Sequence, residues 1–122
     1  MTTQPDPRPE LARTPDGGFR LAGARCRRCG YPTLVHPPRC ARCLGSLEPA
    51  VFGPTGRVWS STVVRIPVPG RTPPYTLAYV DIDDGPRVLA HLPAATDRVA
   101  IGTTVTLSGP SESGDLTMEV VA

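Results

Sequence analysis

From Arg57 onward, short apolar runs are separated by turn-forming residues, the pattern of a small all-β sandwich or barrel. The runs are Arg57 to Ile66, Tyr75 to Asp81, Pro86 to Leu92, Thr104 to Ser108 and Leu116 to Val121. In the second, Thr76, Ala78 and Val80 alternate with Tyr75, Leu77 and Tyr79, so each set lines one face of a strand. The first run is long enough to curve and serve both sides of a closed sheet. Asp83-Asp84-Gly85 has the chemistry of a hairpin turn. The stretch from Pro67 to Pro74, with Pro69 and Pro73 between, cannot be a central strand and reads as an exposed loop. Pro93 to Val99 reads as a short helical turn or loop. Five strands in this order, with that piece between the third and fourth, predict a five-stranded OB-fold barrel over residues 49–122.

The first part of the chain is patterned differently. Pro5, Pro7, Pro9 and Pro15 break regular structure, so residues 1–18 read as a flexible or short-helical N-terminal arm. Glu10 to Arg13 suits one helical turn, which would fold only against a partner. Phe19 and Leu21 share a strand face that leads toward Cys26. Tyr31 to Val35 suits a second short strand, and Pro37-Pro38 forces an extended approach to Cys40.

All four cysteines lie in this region, as Cys26-x-x-Cys29 and Cys40-x-x-Cys43 with ten residues between the pairs. Two intervening residues let one tight turn aim both sulfurs at one ion. Zn²⁺ takes four ligands in a tetrahedron and accepts thiolates readily. Gly30 and Gly45 follow the two pairs, where a positive φ is often needed. Residues 19–48 therefore read as a structural zinc ribbon, with Cys26, Cys29, Cys40 and Cys43 as the metal ligands. Two disulfides would need an oxidising compartment. The Pro-rich, polar start has no apolar signal segment, which points instead to a cytoplasmic setting. A redox C-x-x-C pair normally accompanies a βαβ pattern, absent here, and a catalytic zinc usually keeps one position open and includes His. His36 lies between the pairs, but four thiolates already complete the tetrahedron, so it reads as a bystander.

Charge changes the picture in one respect. All 13 basic residues are Arg, and the formal net charge of +2 hides an asymmetry. Residues 1–50 carry eight Arg against four acids, and residues 51–122 carry five against seven, balances of +4 and −2. Arg25, Arg27, Arg28, Arg39 and Arg42 flank the sulfurs; they offset a negative metal–thiolate cluster or hold an anion. The net-acidic barrel half argues against a general nucleic-acid binder, which usually carries a basic footprint. No apolar run approaches the roughly twenty residues of a membrane span.

An independent catalytic constellation is not evident. His91 would be a barrel histidine satisfied by a backbone hydrogen bond, because no partner carboxylate is spaced for it. Asp81, Asp83 and Asp84 read as solvated turn acids. Trp59, Tyr75 and Tyr79 suit the barrel core, a partner interface or a base-stacking platform.

Several motifs together resemble a family of small bacterial and archaeal proteins that join a rubredoxin-like zinc ribbon to a C-terminal OB-fold. They are Cys26-x-x-Cys29-Gly30, Pro37-Pro38-x-Cys40-x-x-Cys43, Gly56-Arg57-Val58-Trp59-Ser60-x-Thr62-Val63-Val64, Pro74-Tyr75, Ala78-x-Val80, Gly85-Pro86-Arg87-Val88-Leu89-Ala90 and Ile101-Gly102. The resemblance covers roughly residues 19 to 109. It implies a non-catalytic accessory subunit of a hetero-oligomer in acyl-CoA metabolism. The implied partner is a thiolase-like, aldolase-like or enoyl-CoA hydratase-like protein, with acyl-CoA contacted through that partner. The runner-up reading is a single-stranded nucleic-acid-binding OB-fold protein.

Overall fold

A computed structural model describes residues 8–34 and 37–121. Nine strands and no helix are found among them: β1 (Glu10–Arg13), β2 (Phe19–Cys26), β3 (Pro32–Thr33), β4 (Leu47–Phe52), β5 (Thr55–Val64), β6 (Tyr75–Ile82), β7 (Arg87–His91), β8 (Thr104–Pro110) and β9 (Leu116–Val120). Strands β5 to β9 close a barrel in the order β5-β6-β7-β9-β8. One parallel pairing, His91 with Thr117, joins β7 to β9; the other barrel pairings are antiparallel. This is the expected five-stranded barrel with its OB-type order.

The long first barrel strand does curve. Its start, Thr55 to Arg57, pairs with β8, and Gly56 to Val64 pair with β6. A bulge between Val58 and Ser60 re-aims the strand at Trp59. In β6 the set Thr76, Ala78, Val80 and Ile82 is buried, and Tyr75, Leu77 and Tyr79 lie on the other face. The 83–85 turn closes through Ile82 and Pro86, with Asp84 at φ 54°. Val58, Val80, Leu92, Val105 and Met118 fill the barrel interior.

The N-terminal sheet departs from expectation at two points. Glu10 to Arg13 is a strand, not a helical turn: it pairs antiparallel with Phe19 to Ala22 through a turn at Thr14 to Gly18. A single helical turn closes too few hydrogen bonds to persist, whereas the hairpin satisfies its backbone and lays Leu11 against the core. Leu47 to Phe52 pairs with β2, from Cys26 back to Leu21, so the chain changes sheet only at Gly53-Pro54. β3 is two residues long. Val35 and His36 lie outside the described residues, as do residues 1–7.

The two sheets share one core. Leu21 and Phe52 are buried in the same cluster as the barrel residues. The Phe19 ring lies over Gly109, where a Cβ would come within 2.9 Å of it. Gly109 also takes a φ of 105° at the bulge in β8, so only glycine meets both demands. Pro93 to Val99 is loop, with Ala95 and Val99 packed against the core. No helix of the described residues is long and apolar enough to cross a membrane.

Candidate metal centre and docking face

The two C-x-x-C turns bring Cys26, Cys29, Cys40 and Cys43 together, all four sulfurs within 4.8 Å of one another. The cysteines are free thiols rather than disulfides. Cys26 Sγ lies 3.4 Å from Cys43 Sγ, and Cys29 Sγ lies 3.7 Å from Cys40 Sγ. A tetrahedron with zinc–sulfur bonds of about 2.3 Å has sulfurs about 3.8 Å apart, so the set can hold a metal such as zinc. Backbone N–H groups support the sulfurs: those of Arg28 and Cys29 donate to Cys26 Sγ, and that of Arg42 donates to Cys40 Sγ.

The turns achieve this differently. Gly30 takes a φ of 77° after the first pair, as expected. After the second pair Leu44 takes the left-handed conformation, at φ 64°, instead of Gly45. Gly45 is needed for space: a Cβ there would sit 3.0 Å from Cys26 Sγ and 3.2 Å from Cys43 Sγ.

The sulfurs also share a charge problem. The N–H of Cys29, opposed by burial and helped by that of Arg28, holds the Cys26 thiol down to about 6. Cys29 gains an N–H bond from Tyr31, yet burial and the neighbouring Cys43, Cys26 and Cys40 push it up to about 11. Like charges this close cannot all ionise alone, and a divalent cation removes the conflict.

Arg25 has a role that its place in the flanking cluster did not reveal. Its guanidinium donates to the Gly30 carbonyl at 2.8 Å and to the Asp84 carbonyl at 2.6 Å, and it lies over the Phe52 ring. It therefore clamps the cysteine module to the barrel's 83–85 turn. Arg27 makes a loose pair with Glu48, and Arg28, Arg39 and Arg42 are exposed.

The turn acids do not converge. Asp81 pairs with Arg87, Asp83 accepts from the Thr55 hydroxyl, and Asp84 is exposed near Arg25. The cysteines are the one metal-ligating group of three or more found among the described residues.

Trp59 and Tyr79 are outside the core. They are 48% and 46% exposed, meet edge to face at 6.2 Å, and lie beside Leu89, which is 45% exposed. The Arg87 guanidinium lies 3.9 Å over the Trp59 ring and is fixed by two bonds to the Asp81 carboxylate. Those bonds hold the Asp81 carboxyl below the usual carboxylate range. The outer face of β5, β6 and β7 thus carries a braced aromatic patch. Its side chains are already held in place, so little of their freedom is left to lose on binding.

His91 corrects the expectation that it lacks a carboxylate partner. Asp115 lies 3.9 Å from its Nε2, supplied by the turn before β9. Asp115 is buried and is held by Arg71 through two contacts, at 2.6 and 2.8 Å. Arg8 approaches it at 3.7 Å and also donates to the Ser113 carbonyl. Tyr75 stacks on His91 at 6.0 Å. No local signal marks this cluster, because Arg8, His91 and Asp115 come from separate parts of the chain and only Arg71 and Tyr75 are near neighbours.

Residues 50–109 match the profile of the ChsH2 C-terminal OB-fold domain. Subunit BbsA of the benzoylsuccinyl-CoA thiolase of Geobacter metallireducens is 29% identical over 118 residues, covering 93% of this chain and 80% of BbsA. The 3-oxo-4,17-pregnadiene-20-carboxyl-CoA hydratase alpha subunit of Mycobacterium tuberculosis is 37% identical over 93 residues. That match covers 72% of this chain but 30% of the hydratase subunit. Among solved structures, the Ltp2-ChsH2(DUF35) aldolase superposes with a TM-score of 0.68 at 29% identity, covering 84% of this chain and 86% of the matched one. The chain is thus similar to proteins named for a thiolase, a hydratase and an aldolase.

Proposed function

We propose that this chain is a non-catalytic accessory subunit that binds and completes a thiolase-like, aldolase-like or hydratase-like enzyme acting on acyl-CoA substrates. Zinc held by Cys26, Cys29, Cys40 and Cys43 fixes the N-terminal module, and acyl-CoA is met through the partner. The braced, half-exposed patch of Trp59, Tyr79 and Leu89 carries this reading. Aromatic residues and Arg held rigid on a surface are the usual anchors of protein interfaces. The names of its relatives, subunits of a thiolase and a hydratase, support the choice of partner class.

The test is co-purification of the tagged chain from its native host. A thiolase-like, aldolase-like or hydratase-like protein should be recovered at fixed stoichiometry, and the double variant Trp59→Ala/Tyr79→Ala should lose it. Recovery of the chain alone, beside an abundant unbound candidate enzyme, refutes the reading.

The same patch also favours the runner-up, single-stranded nucleic-acid binding, since bases stack on exposed aromatics. Against it, Arg87 already covers the Trp59 ring, and residues 51–122 carry a net charge of −2. A salt titration separates the two, because phosphate contacts weaken steeply with salt.

A further inference from the structure

The 67–74 loop does not simply wave in solvent. It closes one side of a cavity of about 400 Å³ whose other walls are the end of β7, the start of β6 and the 111–115 turn. That volume falls within the roughly 300–1,000 Å³ common for small-molecule sites. One wall is apolar, from Pro74, Leu92, Pro93 and Ala95. The lining also includes Arg71, Tyr75, His91 and Asp115.

Asp115 is one buried carboxylate facing two guanidinium groups, Arg71 in direct contact and Arg8 at 3.7 Å. Glu112 also lines the cavity and, like Arg8, is exposed. Two guanidinium groups and two carboxylates thus meet here, and only the Arg71 and Asp115 pair is withdrawn from water. Arg71 spends two N–H groups on Asp115, one from each terminal nitrogen, out of the five that a guanidinium carries. The Asp115 fork and the Tyr75 ring, 5.9 Å from the guanidinium carbon, fix its plane. A guanidinium held this way is prepared to receive a second oxyanion at its remaining N–H groups.

We propose that this cavity binds a small organic carboxylate, with its oxygens on Arg71 and its short apolar tail against Pro74, Leu92, Pro93 and Ala95. The remaining N–H groups of Arg71 suit a planar carboxylate, and the tail gives the apolar lining a partner that inorganic phosphate lacks. This inference does not rest on the docking role.

The test is an NMR titration of the intact, zinc-loaded chain with hexanoate, hexan-1-ol and inorganic phosphate as probes. Hexanoate should shift the signals of Arg71, Tyr75 and His91 and saturate, at an affinity at least tenfold above either other probe. The paired variant Arg71→Met/Asp115→Asn, which removes the cation and its counter-ion together, should lower hexanoate affinity at least tenfold, to the level of hexan-1-ol. If that variant does not fold, Arg71→Lys serves: it keeps the charge beside Asp115, gives up the planar fork, and should lose several-fold. The proposal is overturned if hexan-1-ol binds as tightly as hexanoate, which would mean an apolar slot only. Phosphate binding as tightly, shifts confined to other surfaces, or unchanged affinity in the folded Arg71 variant would also overturn it.

Discussion

The cysteine module and the barrel are held together by different means. The barrel closes its sheet on itself and fills the interior with Val58, Val80, Leu92, Val105 and Met118. Around the cysteine turns the fully buried side chains are mainly cysteines, Cys26 and Cys40, with Ala24 of β2 behind them. An apolar core of that size cannot offset the entropy of ordering the turns. The four sulfurs can hold a metal that would supply what packing there does not, whereas the barrel has its own apolar core. The two meet through the Leu21 and Phe52 side chains and the Arg25 clamp, so the contrast has a definite seam.

Metal removal should break the contrast most sharply. Structural zinc supplies on the order of 10 kcal/mol of apparent binding free energy, which is folding free energy. Stripping the metal with a chelator, or replacing Cys26 and Cys40 with Ser, should disorder residues around the cysteine turns while the barrel signals persist. Amide hydrogen exchange reads this region by region. Full protection of the cysteine turns without metal would show that the module stands on packing alone.

The seam is the next place to press. Phe52→Ala should cost about 3–5 kcal/mol, because the ring is buried between the two sheets. Thermal unfolding should then split into two transitions, since the variant weakens the shared core and leaves the barrel closed. A single transition shifted as a whole would mean that the sheets remain one cooperative unit without the ring.

The smallest effects are those of protons at the barrel's cavity. Burial holds His91 below its usual range, against the pull of the Asp115 carboxylate and with help from Arg71. The unfolded chain therefore takes up this proton first, and stability falls as pH drops below about 6.5. Asp115 is held down by its Arg71 hydrogen bonds, then by His91, Arg71 and Arg8 as charges, while burial opposes them. Its contribution is intact above about pH 3.9 and is lost as pH falls through the lower folded value. His91→Asn should flatten the first slope and keep most of the second, which the Arg71 hydrogen bond chiefly sets, seen in chemical denaturation across pH 3 to 7. An unchanged slope near pH 6 would remove His91 from the account.

The barrel strands and the cysteine pairs were both legible in the sequence, because each depends on neighbours. Alternation in Tyr75 to Asp81 marks a strand face, and the 83–85 turn has its own chemistry. Two residues between cysteines suffice to aim both sulfurs. The same local reasoning misjudged Glu10 to Arg13, whose strand exists only because Phe19 to Ala22 lies alongside. It also gave Gly45 a backbone role, when the neighbouring sulfurs make its missing side chain the point.

What tertiary structure alone decided are the meetings between distant residues. Arg71 and Asp115 are 44 positions apart, and Arg25 reaches across 59 to the Asp84 carbonyl. Neither separation leaves a periodic trace, since the partners are brought together by closure of the barrel and by docking of β4 beside β2. The sequence by itself specified two local devices, paired thiols and alternating strands. The fold chose which charges meet, which aromatic rings stay on the surface, and where a cavity is left, because those depend on the path of the whole chain rather than on any stretch of it.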